Sequence, residues 1–192
     1  MSLPRSILFV DGENLVMRFQ DSVATGMIPH KEVIHMPDVF VWHTEFNNYH
    51  ALQKVIRVCY YTSLVGDDVA LRNTREAIGR IQHVSRIDDG TNVGQIVPVV
   101  FKKPSRSQKT RNVDIQIVID VMRYAFTDEI DRVYLASGDG DYLPLITEVM
   151  RRGKQVEVLA FSSGLNDQLK YSADRFQNLD AMFFANPPVN AS

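Results

Sequence analysis

Apolar residues alternate along this chain between two patterns. Short runs rich in β-branched residues are each followed by a longer segment whose apolar positions recur every three or four residues, the periods of a buried strand and of a helix with one covered face. The runs Ile7–Val10, Val55–Tyr61, Ile96–Phe101, Ile130–Ala136 and Val156–Phe161 read as strands. The segments Asn14–Val23, Asp67–Val84, Val113–Phe126, Tyr142–Arg152 and Leu165–Tyr171 read as helices. Strand–helix alternation of this kind predicts a parallel sheet with helices on both faces, a three-layer Rossmann-like α/β fold. Pro98 lies inside the third run, and a residue without an N–H belongs on an edge strand. That condition is met by the order 3-2-1-4-5, in which the first and fourth strands are central neighbours. Strand order reverses between those two, where open α/β sheets bind ligands beyond the strand ends.

Residues Gly26–His50 break the rhythm, with Pro29, Pro37, the sole tryptophan and four of the five histidines. This stretch reads as an insertion at about 26–50 with an extended piece near Val39–Trp42, either a cover for the core or a wall for a substrate. Residues 1–185 are expected to form one domain carrying that insertion, and 186–192 a loose tail. At 192 residues and 45% hydrophobic the chain can bury a sizeable core. A net charge of −2 means that any surface for nucleic acid is local. Cys59 is the only cysteine, which excludes an intrachain disulfide and a cysteine-based zinc cluster and fits a cytoplasmic protein. The longest early apolar run, Ile7–Val10, is too short for a signal core or a membrane span, so no membrane partner is expected.

Three acidic motifs fall at strand ends or helix starts. In Ile7-Leu8-Phe9-Val10-Asp11-Gly12-Glu13-Asn14 a buried strand runs straight into an aspartate, with Gly12 permitting a sharp turn. In Arg111-Asn112-Val113-Asp114 an aspartate opens a helix on the side of Ile117, Val118, Val121 and Ala125, while Gln116, Asp120 and Arg123 point to solvent. In Ala136-Ser137-Gly138-Asp139-Gly140-Asp141-Tyr142 two aspartates follow the fourth strand; Asp141 is placed to cap the next helix and Asp139 is not. Two like charges about 4 Å apart repel by roughly 4 kcal/mol, so four carboxylates at one sheet end call for a cation or for protons. Oxygen ligands without cysteine or a histidine pair favour Mg²⁺ or Mn²⁺. Just upstream of Asp114, Lys102, Lys103, Arg106, Lys109 and Arg111 fall within ten positions, and a basic loop beside an acidic site suits a phosphate backbone. No dinucleotide fingerprint, phosphate-cradling Gly-Lys-Ser/Thr loop or Gly-x-Ser-x-Gly elbow is present.

These motifs together resemble the NYN domains, LabA-like branch, of the PIN-like nuclease superfamily, over Ile7 to about Asp180. Ser172-Ala173-Asp174-Arg175-Phe176 resembles that family's closing segment. The resemblance implies that Asp11, Asp114, Asp139 and Asp141 hold metal, that Asn14 helps position a metal water or a phosphate, and that Ser137 supports the site. It implies RNA rather than DNA as the preferred substrate. Arg111 stands where the family usually has lysine. The function so implied is metal-dependent phosphodiester hydrolysis, with Mg²⁺ or Mn²⁺ as cofactor. Two other readings stay open on the residues alone: a nucleic-acid-binding regulatory module with little cleavage, and a metal-dependent small-molecule phosphatase. The second would want Asp-x-Asp where this chain has Asp11-Gly12-Glu13.

Overall fold

The computed structural model describes residues 4–44, 46, 54–87, 90–105 and 111–188. Strand β1 (Arg5–Asp11) runs directly into helix α1 (Gly12–Ala24), and β2 (Val33–Met36) and β3 (Phe40–His43) form a hairpin before β4 (Lys54–Leu64). After α2 (Asp68–Gly79) a second hairpin, β5 (Gln82–Ile87) with β6 (Gly90–Gln95), leads into β7 (Val97–Lys102) and α3 (Asn112–Phe126). The rest is β8 (Arg132–Ala136), a 3-10 turn at Gly140–Tyr142, α4 (Leu143–Arg151), β9 (Gln155–Ala160), α5 (Asp167–Ser172), β10 (Arg175–Asn178) and α6 (Asp180–Phe183).

The central sheet has the order β10-β9-β8-β1-β4-β7, with every neighbouring pair parallel. The five expected strands lie in the expected order, with Pro98 on edge strand β7. The order differs from the expected one by β10, a sixth strand cut from the closing segment, where Asp174 secures it by accepting from the Val156 amide at 2.7 Å. Alternation sends Leu8, Val10, Val58, Tyr60, Tyr134 and Ala136 to one face, against Leu15, Val16 and Phe19 of α1. It sends Ile7, Phe9, Cys59, Tyr61, Val133 and Leu135 to the other, against α3 and α4. Each fully buried apolar side chain of this size contributes roughly 1.5–3 kcal/mol, so β1, covered on both faces, is the strand least able to shift.

The insertion is part of the first of these layers. Phe40, Val41, Trp42 and Phe46 are fully buried among Phe19, Phe161, Phe183 and Phe184. Tyr60 Oη accepts from the Val41 amide at 3.0 Å, and the Thr62 hydroxyl donates to the Val39 carbonyl at 2.7 Å. Its described part therefore covers the α1 face of the sheet. Asn186, at the start of the expected tail, is tied to this region, accepting from the Ile28 amide at 2.7 Å. Residues 189–192 lie outside the described residues.

Two expectations about helices fail for physical reasons. The helix expected over Asp67–Val84 ends at Gly79, and His83 belongs to β5. His83 is buried because it packs on Gly94 across the hairpin, where a Cβ would stand 2.5 Å from its Nε2; no local period reveals that contact. On α3, the covered stripe is Val113, Ile117, Val121 and Ala125, but it leans toward Asp120 rather than Val118. Val118 is 37% exposed, whereas Asp120, expected to face solvent, accepts from the Tyr61 hydroxyl at 3.0 Å and from Arg123 at 3.4 Å.

Gly12 is required for space, not for a turn. A Cβ there would lie 2.2 Å from Tyr60 Cε1 and 2.6 Å from the Tyr61 carbonyl oxygen, so α1 could not sit so close over β4. Gly12→Ala is expected to destabilise the fold by about 1–3 kcal/mol, the usual cost of overpacking, read as a lower urea midpoint at unchanged slope. An unshifted midpoint would show that β4 yields freely under α1.

Candidate functional site

The site lies beyond the ends of β1 and β8, adjacent parallel strands in register at Val10 and Ala136. The next residues, Asp11 and Ser137, are thus delivered side by side. Asp11 is 3% exposed and caps α1: its Oδ1 accepts from the Asn14 amide at 3.1 Å. Its Oδ2 accepts from the Ser137 hydroxyl at 3.0 Å and from the Tyr142 hydroxyl at 3.3 Å. The Asp139 amide in turn donates to Ser137 Oγ at 3.2 Å, so a backbone N–H polarises the hydroxyl that holds Asp11. Asn14 joins the two strand ends as well, because its Oδ1 accepts from the Gly138 amide at 3.2 Å. Behind that loop, the Asn166 amide donates to the Gly138 carbonyl at 3.0 Å.

Asp114, half-buried in the first turn of α3, faces Asp11 across Tyr142, whose hydroxyl lies 3.4 Å from Asp114 Oδ1. One hydroxyl carries one hydrogen and cannot donate fully to both carboxylates at once. The electrostatics reflect this shortage of donors. Burial pushes the Asp11 carboxyl up from 3.8 to about 7, against the pull of its Asn14 and Ser137 hydrogen bonds, with Asp114 and Glu13 adding to the rise. Asp114 is also raised, first by burial and then by Asp139, Glu13 and Asp141, while its Tyr142 bond opposes the rise. The Tyr142 hydroxyl itself is pushed far up by burial and by both aspartates.

The two aspartates after β8 exchange the roles expected of them. Asp139 is the cap of the 3-10 turn, its Oδ1 accepting from the Asp141 amide at 3.0 Å, and Asp141 is exposed. The turn starts at Gly140, two residues earlier than the apolar pattern suggests, which moves the cap from Asp141 to Asp139.

Two further side chains belong to the site, Glu13 and Tyr142. Glu13 accepts from the Ser63 hydroxyl at the end of β4 and from Lys103 Nζ at 3.3 Å. Its field reaches both Asp11 and Asp114, and its place two residues after Asp11 was the available clue. Tyr142 reads in sequence only as a helix start. Lys103 joins the site through Glu13 with its side chain only 15% exposed, whereas Lys102 pairs with Asp68 at 2.7 Å on the surface. Both lysines line a cleft of about 530 Å³ with Val65, Gly66 and Pro104. Arg111 is exposed at the start of α3. Arg106 and Lys109 lie outside the described residues.

The donor set fits a hard divalent cation in chemistry: it is all oxygen, and a positive charge would offset the burial, and the smaller mutual repulsion, that raise Asp11 and Asp114. Among the described residues, though, no three acid, histidine or cysteine side chains stand together at ligating distance. The expected four-acid cluster is therefore more open than a closed ligand shell, because Tyr142 and Ser137 occupy the spaces between its members.

An open parallel sheet with carboxylates gathered at its topological switch point defines the class of three-layer α/β domains to which PIN-like nucleases belong. The chain matches the NYN domain family over residues 5–180 and belongs to that family, within the PIN-like nuclease superfamily. It is 32% identical over 63 residues to an uncharacterized protein of Methanocaldococcus jannaschii, a match covering 33% of this chain and 26% of the relative, so the chain spans about a quarter of that curated protein. The crystal structure of a protein of unknown function from Vibrio parahaemolyticus shares the fold, with a TM-score of 0.62 at 19% identity over 95% of this chain and 96% of that one. No helix among the described residues is long and apolar enough to cross a membrane.

The raised Asp11 carboxyl makes stability depend on pH. A carboxyl that ionises near 3.9 when unfolded and near 7 when folded keeps its proton in the folded state. That contribution is full below about pH 4 and is lost as pH rises toward 7, by an amount on the order of a few kcal/mol. In chelator, the thermal midpoint is expected to fall between about pH 5 and pH 7.5, and Asp11→Asn to flatten the decline. Identical slopes for the two proteins would refute the assignment to Asp11.

Proposed function

We propose that this chain is a Mg²⁺- or Mn²⁺-dependent ribonuclease of the LabA-like kind, hydrolysing phosphodiester bonds with water as the nucleophile. One observation carries the reading: Asp11 of β1 and Asp114 of α3, far apart in sequence, meet across a single hydroxyl. Asp139 and Asp141 are close enough to raise Asp114 further. Such a concentration of negative charge is costly without a cation. Asp11, Asp114, Asp139 and Asp141 would hold the metal, which when bound supplies Lewis-acid charge at the scissile phosphate and makes water more acidic. Ser137 keeps Asp11 oriented. Asn14, with Oδ1 engaged and Nδ2 making no hydrogen bond among the described residues, keeps a donor for a phosphate oxygen. Lys103 and Lys102, in the cleft beside Glu13, would take the phosphate backbone next to the cut, together with Arg106, Lys109 and Arg111. The preference for RNA over DNA rests on family membership.

The test uses labelled single-stranded RNA with Mn²⁺ and with excess chelator. Cleavage is expected only with metal, and full activity of dialysed protein in chelator would end the proposal. Asp139→Asn is expected to lose at least about a hundredfold in rate, a typical cost of removing one electrostatic group from such a site. It should keep the fold, since asparagine caps as well as aspartate. Glu32→Gln, at an exposed position, is the control and should change little; Asp120 is unsuitable because Tyr61 depends on it.

The products distinguish the nucleophile. Water attacking in line leaves a 5′-phosphate and a 3′-hydroxyl, whereas attack by the RNA's own 2′-hydroxyl leaves a cyclic phosphate and wants a histidine or lysine to carry the proton. His30 and His35 bond to the Ala181 carbonyl at 3.4 Å and to Gln20 at 3.2 Å, His43 packs on Phe183, and His83 is buried in its hairpin. None of these contacts involves the acidic set, and the lysine that reaches it, Lys103, is ion-paired with Glu13 at 3.3 Å. End-group analysis is therefore expected to find 5′-phosphates, and predominant 2′,3′-cyclic phosphate ends would refute the water mechanism.

A further inference from the structure

Helix α3 is apolar on both sides. Its inner stripe is fully covered, yet Ile115, Val118, Ile119 and Phe126 are 54, 37, 45 and 43% exposed, with the half-buried Met122 between them and Arg152 stacked on one side of the Phe126 ring at 3.8 Å. At 100° per residue these five occupy one sector of about 100° facing away from the sheet. No other helix among the described residues carries as many exposed large apolar side chains. A contiguous stripe of this kind marks an interaction surface rather than ordinary solvent-facing helix.

We propose that this face of α3 is a homodimer interface, with α3 packed antiparallel on α3 of a second copy. Charge selects the occupant. Arg111 stands at the N-terminal end of the helix and Glu129 just beyond its C-terminal end; both are exposed, and neither has an ion pair among the described residues. A two-fold axis crossing α3 between Asp120 and Val121 brings Ile115 of each copy to Phe126 of the other and Ile119 to Met122. The same axis carries each Arg111 to the Glu129 end of its neighbour and opposes the two helix dipoles. One surface thus satisfies itself, as an isologous contact requires. A membrane would instead want an excess of lysine and arginine flanking the stripe, whereas Arg123 and Arg152 beside it are each paired with a nearby acid, Asp120 and Glu148. From Ile115 to Phe126 it runs about 17 Å, and two helices of that length bury less than the roughly 800 Å² per partner of a standard interface. The dimer is accordingly one that dissociates on dilution into the micromolar range.

Sedimentation equilibrium of the full chain from about 1 to 100 µM is expected to move the mass from 21.9 kDa toward twice that value. Ile119→Glu should hold the protein monomeric, with circular dichroism and thermal midpoint unchanged from those of the dilute parent because the site is exposed. Arg111→Glu should weaken the dimer about three- to tenfold, and adding Glu129→Arg should restore it. A single-chain mass at every concentration overturns the proposal. So does a dimer that Ile119→Glu leaves intact, and failure of the charge exchange to restore association overturns the antiparallel register.

Discussion

A carboxylate withdrawn from water must find donors or keep its proton, and Asp11 does part of each. Its three donors come from the first turn of α1, from the residue after β8 and from the 3-10 turn before α4. Satisfying one side chain therefore fixes three segments against one another. The parallel pairing of β1 with β8 makes this possible, because register at Val10 and Ala136 sets the two strand ends level. Close approach of α1 over β4, which only glycine at position 12 allows, brings in Glu13 and through it Ser63 and Lys103. The acidic end of the sheet is thus one connected network, with Asp11 as the member that the others cannot spare.

What the sequence discloses depends on whether the relevant contact is local. Strands covered on both faces announce themselves as apolar runs, and a proline inside one of them marks the edge, so sheet order among five strands is legible. So is the placement of Asp11, Asp114 and Asp139 at one end of the sheet, because each follows a strand or opens a helix, whereas the part of Ser137 comes only from the family resemblance. Contacts between distant residues are not legible. His83 lies in a strand because Gly94 leaves room for its ring, and the residues before it continue a helical period closely enough to conceal the change. The tilt of α3 is set by Tyr61 reaching Asp120, which a helical projection of α3 alone cannot contain. Tyr142 as a bridge and Lys103 as the partner of Glu13 belong to the same category.

The histidine- and aromatic-rich insertion shows how composition misleads when read without its partners. Histidines near a possible active site invite an acid–base role, but here the described ones are used in packing and in local hydrogen bonds. Burial lowers His35 and His83 below the usual imidazole range, which favours their neutral forms near pH 7. The aromatic residues find Phe183 and Phe184 near the other end of the chain. The insertion and the last helix therefore complete one layer of the fold, leaving the chemistry to the opposite requirement, a polar edge with few donors.

Shortage of donors is what separates a structural cluster of acids from one poised for a ligand. Several surface carboxylates in this chain have a cation beside them, as Asp68 has Lys102 and Asp128 has Lys154. At the sheet end Asp11, Glu13, Asp114, Asp139 and Asp141 have a single described lysine among them, and it is committed to Glu13. The hydroxyls of Ser137 and Tyr142 supply hydrogen bonds but no charge, so they orient the carboxylates without neutralising them. A fold that needed only stability would place apolar or neutral side chains here, since a buried charge left unpaired costs several kcal/mol. Sequence and fold leave it open instead, and the excess charge is met by raised carboxyls at Asp11 and Asp114 rather than by an ion pair.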